Sequence, residues 1–111
     1  MCYLKGVSDE NNLDLNTLPS KFFGKCNNSN SLAFAFFNSG LKDYNSESFQ
    51  STEGDGTIYT TNINSMCRST KLERCEYILN KFPEAINATG AFAYSNVKNI
   101  PKNLLYNNTK L

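Results

Sequence analysis

The chain has 111 residues, four cysteines, no histidine and a formal net charge of +1. This length allows a single domain, residues 1–111, with a modest core. The nearly neutral charge gives no reason to expect nucleic acid or an acidic membrane surface as a partner. The missing histidine removes the side chain most used for acid–base catalysis near neutral pH and the commonest metal ligand.

The chain shows no segment for membrane insertion or export. No apolar run reaches the ~18 residues that a membrane helix needs. The start, Met1-Cys2-Tyr3-Leu4-Lys5, lacks the basic residues and the apolar stretch of a leader peptide. Two hypotheses follow: a mature secreted domain whose leader was removed, or a cytosolic protein with reduced thiols.

The first predicted strand covers residues 31–37, after a polar and turn-rich region over residues 1–30. In this strand Leu32, Phe34 and Phe36 would share one face, and the residues between them would share the other. Because both faces would be apolar, we expect the strand in the centre of a sheet, covered on both sides.

A hairpin and a helix are predicted next. Residues 57–63 are rich in Thr, Ile and Tyr, which favours a strand after a turn at Asp55-Gly56. Thr70 and Glu73 then have the spacing of a capping box, in which each side chain satisfies an amide at the start of a helix. Apolar residues at helical spacing predict a helix over 71–82, with an inner face formed by Leu72, Cys75, Leu79 and Phe82.

The second central strand is predicted at 91–97. Its first four residues, Ala91-Phe92-Ala93-Tyr94, echo Ala33-Phe34-Ala35-Phe36 of the first strand. Four residues are too few to define a repeat, so we interpret the echo as two central, neighbouring strands of one sheet. The predicted fold class is α+β: a small antiparallel sheet of three to five strands with one main helix packed on one face. Its core would include the rings of Phe34, Phe36, Phe82 and Phe92.

The four cysteines are Cys2, Cys26, Cys67 and Cys75. Their even number predicts two disulfides if the chain is exported. We favour Cys67–Cys75 together with Cys2–Cys26, because Cys67 lies just before the predicted helix and Cys75 lies in its second turn. A buried free thiol would also suit the apolar position of Cys75, so Cys26–Cys75 stays an alternative. No Cys-x-x-Cys pair indicates zinc, and a cysteine nucleophile would lack a histidine base.

One stretch resembles the calcium loop of an EF-hand. Glu53 and Asp55 take its third and fifth positions, and Gly56 takes the sixth. However, Ser51 stands where an Asp is expected, and Asn62 stands where a bidentate Glu is expected. A hairpin turn is the better interpretation. Glu53 and Asp55 are therefore only weak metal-site candidates, and we expect no cofactor.

Four tyrosines in polar surroundings form a candidate binding surface: Tyr3, Tyr44, Tyr59 and Tyr106. The chain is also rich in asparagine, and glycosylation sequons begin at Asn27, Asn87 and Asn107. Sequons and an even cysteine count both favour an extracytoplasmic location over a cytoplasmic one.

These features predict a non-catalytic recognition, adhesion or assembly module, secreted or at a surface, stabilised by disulfides, whose partner is another protein or a surface ligand. The alternative is a small cytosolic protein-binding factor of the inhibitor or immunity type, with free thiols. A degenerate calcium-loop protein comes third. An enzyme would need a carboxylate- or lysine-based site that no motif marks. The sequence does not indicate an oligomeric state.

Overall fold

The computed structural model describes residues 16–111, and this part of the chain is mostly turns and coil. It contains no helix, and strand makes up only 5% of it. The strand content consists of isolated parallel bridges, which join Thr17 to Asp43, Ser31 to Asn62 and Asn62 to Asn87. No helix in this region is long and apolar enough to cross a membrane.

Three segments lie side by side in parallel and are joined by backbone hydrogen bonds. We name them the first rung (31–38), the middle rung (62–69) and the last rung (87–94). Every second amide of one rung donates to the next rung, at N···O distances of 2.7–3.0 Å. From the first rung to the middle rung these bonds are Leu32 to Asn62, Phe34 to Asn64, Phe36 to Met66 and Asn38 to Arg68. From the middle rung to the last rung they are Ile63 to Asn87, Ser65 to Thr89, Cys67 to Ala91 and Ser69 to Ala93.

The intervening amides of each rung close tight turns inside it. In the first rung, for example, Ala35 N–H donates to Leu32 O and Phe37 N–H donates to Phe34 O. These turns depend on left-handed backbone at every fourth residue. The positions concerned are Phe34 and Asn38, Ser65 and Ser69, and Gly90 and Tyr94. A rung is therefore a chain of turns, and its side chains do not alternate as in a strand.

Each rung begins with the same hydrogen bond from a backbone amide to a polar side chain. The side-chain oxygens of Ser31, Asn62 and Asn87 accept from the amide two residues ahead, at 3.2, 2.9 and 3.0 Å. Such local side-chain bonds favour turns over helix and strand. Serine and asparagine thus set the rung conformation at equivalent points of the chain.

The chain returns after each rung, so that successive windings stack. We name them coil 1 (16–30), coil 2 (31–61), coil 3 (62–86) and coil 4 (87–111). Between coils 1 and 2, Leu18 N–H donates to Asp43 O, and between coils 3 and 4, Asn96 N–H donates to Leu72 O. Each coil thus bonds to its neighbours in sequence, which is the organisation of a solenoid.

Aromatic rings fill the centre of the stack. Phe23 lies among Phe36, Phe49 and Phe82, with ring centroids 5.9–6.2 Å from its own. All four rings are buried. They come from coils 1, 2 and 3, so the core joins windings that are distant in sequence.

The α+β prediction is wrong. The segment 71–82 is not a helix, because Tyr77 has left-handed backbone (φ 65°) in its middle. Thr70 does not cap a helix, since its hydroxyl donates to Cys67 O instead. The inner face of the predicted helix is nevertheless buried, at Leu72, Cys75, Leu79 and Phe82.

The antiparallel sheet is also absent from residues 16–111. The predicted strands 31–37 and 91–97 fall largely on the first and last rungs, and they are not neighbours because the middle rung lies between them. The echo between them is displaced by two residues from the stacking. In the ladder, Ala35-Phe36 stands over Met66-Cys67, which stands over Ala91-Phe92. A turn does form at 53–56, where Gly56 N–H donates to Glu53 O. The hairpin strands around it, including the predicted strand 57–63, do not form.

Candidate functional site

An exposed aromatic and cationic surface covers the outer side of the three rungs. We name it the rung face, and it consists of Phe34, Phe37, Arg68 and Tyr94. The rings of Phe34 and Phe37 meet edge to face, with centroids 5.5 Å apart. The guanidinium carbon of Arg68 lies 5.1 Å from the centre of the Tyr94 ring. Because the bonded rungs place Phe37 and Arg68 at equivalent positions, the two contacts are parts of one surface.

Backbone conformation puts these side chains outside. Phe34 and Tyr94 occupy left-handed positions, at φ 62° and 58°, which turns their side chains away from the core. Phe34 is consequently 49% exposed, whereas Phe36 in the same rung is fully buried. Non-glycine residues at such positions carry a conformational cost, which the surrounding ladder must offset.

The rung face is suited to binding rather than to catalysis. Arg68 is the one residue of the rung face that is charged near neutral pH. Aromatic and arginine side chains are the residue types enriched at the centres of protein interfaces. Arginine stacked on a tyrosine ring is also held in place before a partner arrives, which lowers the entropy lost on binding.

A groove of about 450 Å³ opens between coils 3 and 4. Its walls include two exposed tyrosines, Tyr77 and Tyr106, over a floor that includes Leu79 and Leu104. The side-chain oxygen of Asn80 is buried in its wall and accepts no hydrogen bond within residues 16–111. A volume in this range and a mixed apolar and polar lining are typical of ligand pockets.

Tyr44, which the sequence places on an exposed binding surface, is buried in the structure. It is 3% exposed, and the guanidinium carbon of Arg74 lies 4.3 Å from its ring centre. Its hydroxyl donates to Glu76 O at 2.6 Å, and burial raises its pKa.

Arg74 also pairs with the carboxylates of Asp43 (3.0 Å) and Glu76. The Tyr44 amide and then Arg74 hold the pKa of Asp43 below its ordinary value. A polar pocket of about 370 Å³ beside this cluster is thus walled by a structural ion pair.

The cysteines differ from the favoured pairing. Cys67 and Cys75 are free, buried thiols in the structure, where the sequence favours a bond between them. Burial raises the pKa of both thiols, and this effect is largest at Cys67. Neither thiol is therefore activated as a nucleophile. Cys2 lies outside the described residues, so the Cys2–Cys26 bond stays a prediction.

The remaining predicted site residues are placed separately. Tyr59 is 51% exposed, and Tyr106 is exposed on the groove, whereas Tyr3 lies outside the described residues. The Asp55 carboxylate accepts from the Thr57 hydroxyl at 2.6 Å, which lowers the pKa of Asp55. Residues 16–111 contain no cluster of three or more His, Cys, Asp or Glu side chains that would hold a metal.

Sequence reasoning missed the rung face, because it placed Phe34 in the core. The available signal was the recurrence of Ala35-Phe36 as Ala91-Phe92, which aligns Phe37 with Ala93 and Asn38 with Tyr94. The echo noted in the sequence, Ala33-Phe34 with Ala91-Phe92, is displaced from this alignment by two residues and therefore did not reveal the rung face.

Known proteins add no assignment. No protein-family model matches the chain, and no curated protein or solved structure shows significant similarity to it.

Proposed function

We propose that the protein is a non-catalytic recognition module that binds another protein or a surface ligand through the rung face. The observation that carries the proposal is the joined pair of contacts, Phe34 with Phe37 and Arg68 with Tyr94, on one exposed surface. A stack of rungs offers a rigid platform, and rigid platforms lose little entropy on binding. Adhesion and assembly are two activities that such a surface would serve.

An extracytoplasmic location is part of the proposal. The exposed sequon asparagines Asn87 and Asn107 support it, since a glycan needs an accessible acceptor. The alternative is a cytosolic protein-binding factor, which the free thiols of Cys67 and Cys75 favour. Both hypotheses use the same binding surface, and they differ in the oxidation state of the cysteines.

Two variants with matched chemistry test the binding surface. Phe37→Ser with Arg68→Ser removes one aromatic and one cation from the rung face, at positions with ordinary backbone. Tyr59→Ser with Lys25→Ser removes the same two chemical types from exposed positions elsewhere. Immobilised wild type and both variants are used to capture proteins from the native source, followed by binding measurements on each captured protein.

We expect a partner that binds wild type and the Tyr59/Lys25 variant alike and loses at least tenfold in affinity for the rung-face variant, since hot-spot residues each contribute about 1–2 kcal/mol or more. Partners that bind all three proteins equally would contradict the assignment. Intact mass after alkylation under denaturing conditions, with and without prior reduction, separates the two locations: disulfide pairs support export, and four alkylated thiols support the cytosolic factor.

A further inference from the structure

The outer edge of the last rung is a row of hydrogen-bond donors. In the middle rung, the amides of Ile63, Ser65, Cys67 and Ser69 donate to the next coil. The equivalent amides of the last rung belong to Ala88, Gly90, Phe92 and Tyr94, and none of them donates to a residue within 16–111. The carbonyls of the first three already accept from Ala91, Ala93 and Ser95 in tight turns. The edge therefore presents unpaired donors, while the carbonyls of Ala88, Gly90 and Phe92 are already bonded.

The apolar side of coil 4 is uncovered in the same way. In coil 3, Leu72, Cys75 and Leu79 follow the rung and are buried. In coil 4, Ile100 follows the rung and is 69% exposed. Leu105 and Leu111 are exposed on the same coil. Coil 3 bonds to coil 2 on one side and to coil 4 on the other, whereas these three apolar side chains of coil 4 are left exposed.

The arrangement of donors restricts what can dock there. The exposed edge of a regular β-strand alternates amides and carbonyls. If such a strand docked here, its amides would face the unpaired amides of the last rung, donor against donor. A coil of turns like those of this chain presents a row of carbonyls on one edge, as Asn87, Thr89, Ala91 and Ala93 do towards the middle rung. Exposed apolar side chains and unpaired amides on one coil are features of an open interface.

We propose that the outer face of coil 4 is a docking surface for one further polypeptide coil of the same turn-based kind. The coil would supply a row of carbonyls to the amides of Ala88, Gly90, Phe92 and Tyr94, and apolar side chains to Ile100 and Leu105. The contact continues the interface between coils 3 and 4, with the same donor spacing. It uses the backbone amide of Tyr94, whose side chain belongs to the rung face, and it does not depend on the proposed function.

The test uses the full chain, labelled with ¹⁵N, and a synthetic peptide with the sequence of residues 87–111. That peptide carries the carbonyls that the middle rung already binds in the structure. We expect saturable shifts of the amide signals of Ala88, Gly90, Phe92 and Tyr94, and exchange with solvent at least tenfold slower at these amides. The absence of such changes up to millimolar peptide, or changes confined to Phe34, Phe37 and Arg68, would overturn the proposal.

Two variants of the full chain locate the contact. Ala88→Pro removes one donor that has no partner among the described residues, and it should weaken peptide binding about fivefold. Ile100→Asn removes exposed apolar surface and should weaken binding about tenfold, which keeps the test valid if the proline variant does not fold. Tyr59→Ser should bind the peptide like wild type, and equal binding by all variants contradicts the site.

Sedimentation of the full chain alone distinguishes the occupant. A monomer that binds the peptide supports docking of a separate coil. A concentration-dependent dimer that protects the same four amides would identify a second copy as the occupant and overturn the proposal as stated.

Discussion

Replacing Phe36 by alanine is expected to destabilise the protein far more than replacing Phe34, two residues earlier in the same rung. Phe36 is fully buried, and its ring centroid lies 5.6–6.0 Å from those of Phe22, Phe23 and Phe49. Phe34 is 49% exposed. An alternating strand would place the two rings on one face, whereas a rung places one inside and the other outside.

The size of the difference follows from burial. Truncating a buried Phe to Ala costs about 4 kcal/mol, from lost transfer free energy and the cavity that remains. Phe34 keeps about half of its surface in water, so its truncation costs about 1 kcal/mol. Alanine and phenylalanine carry similar strain in the left-handed backbone of Phe34, so this strain does not change the comparison. The free energies of unfolding should therefore differ by about 3 kcal/mol.

Urea unfolding followed by far-UV circular dichroism and tyrosine fluorescence measures this difference, since the chain has no tryptophan. A small domain has only about 5–15 kcal/mol of stability, so Phe36→Ala would leave little folded protein if stability is at the low end. Phe36→Leu, with an expected cost of about 1–2 kcal/mol, then replaces it. Equal losses at positions 34 and 36 would refute the rung geometry and restore a two-residue period.

Three further predictions test local features. Gly90→Ala should cost about 1 kcal/mol in urea unfolding, because Gly90 has φ +64° and an added Cβ would meet only ordinary contacts, the nearest at 3.5 Å; no loss would contradict the left-handed turn. Arg74→Met should raise the pKa of Asp43, measured by carboxyl NMR titration, and an unchanged pKa would rule out the ion pair. Because the folded pKa of Asp43 is lowered, its stabilising contribution is present above the unfolded pKa and is lost as pH falls through the folded pKa. The thiols of Cys67 and Cys75 should react with iodoacetamide at pH 8 only after unfolding, as followed by intact mass; rapid reaction of the folded chain would contradict their burial.

Burial was more predictable from the sequence than conformation. Leu72, Cys75 and Phe82 are buried as expected, because apolar side chains leave water whichever backbone carries them. The prediction of a helix that buries them was wrong, since apolar residues three and four positions apart also fit a coil made of turns. Left-handed backbone at Tyr77, a residue type with no special tolerance for it, left no signal in the pattern.

The candidate sites were predictable only in part. Tyr59 and Tyr106 are exposed, as expected for tyrosines in polar segments. Tyr44 lies in an equally polar segment but is covered by Arg74, thirty residues away in sequence and on the next coil. The rung face depends on stacking of three segments, which a single segment cannot reveal. Long-range backbone bonding between turns, rather than local propensity, decides these positions.

The abundance of asparagine is better explained by the fold than by loop composition alone. Asn62 joins all three rungs, since it bridges to both Ser31 and Asn87, and its side chain accepts from Asn64 N–H. Asn87 repeats this bond one rung later, and Asn38 holds a left-handed position that asparagine tolerates better than most residues. Asparagine suits each task because its short amide side chain bonds to nearby backbone. Polar residues thus specify the conformation of each rung, and apolar residues fix how the coils stack.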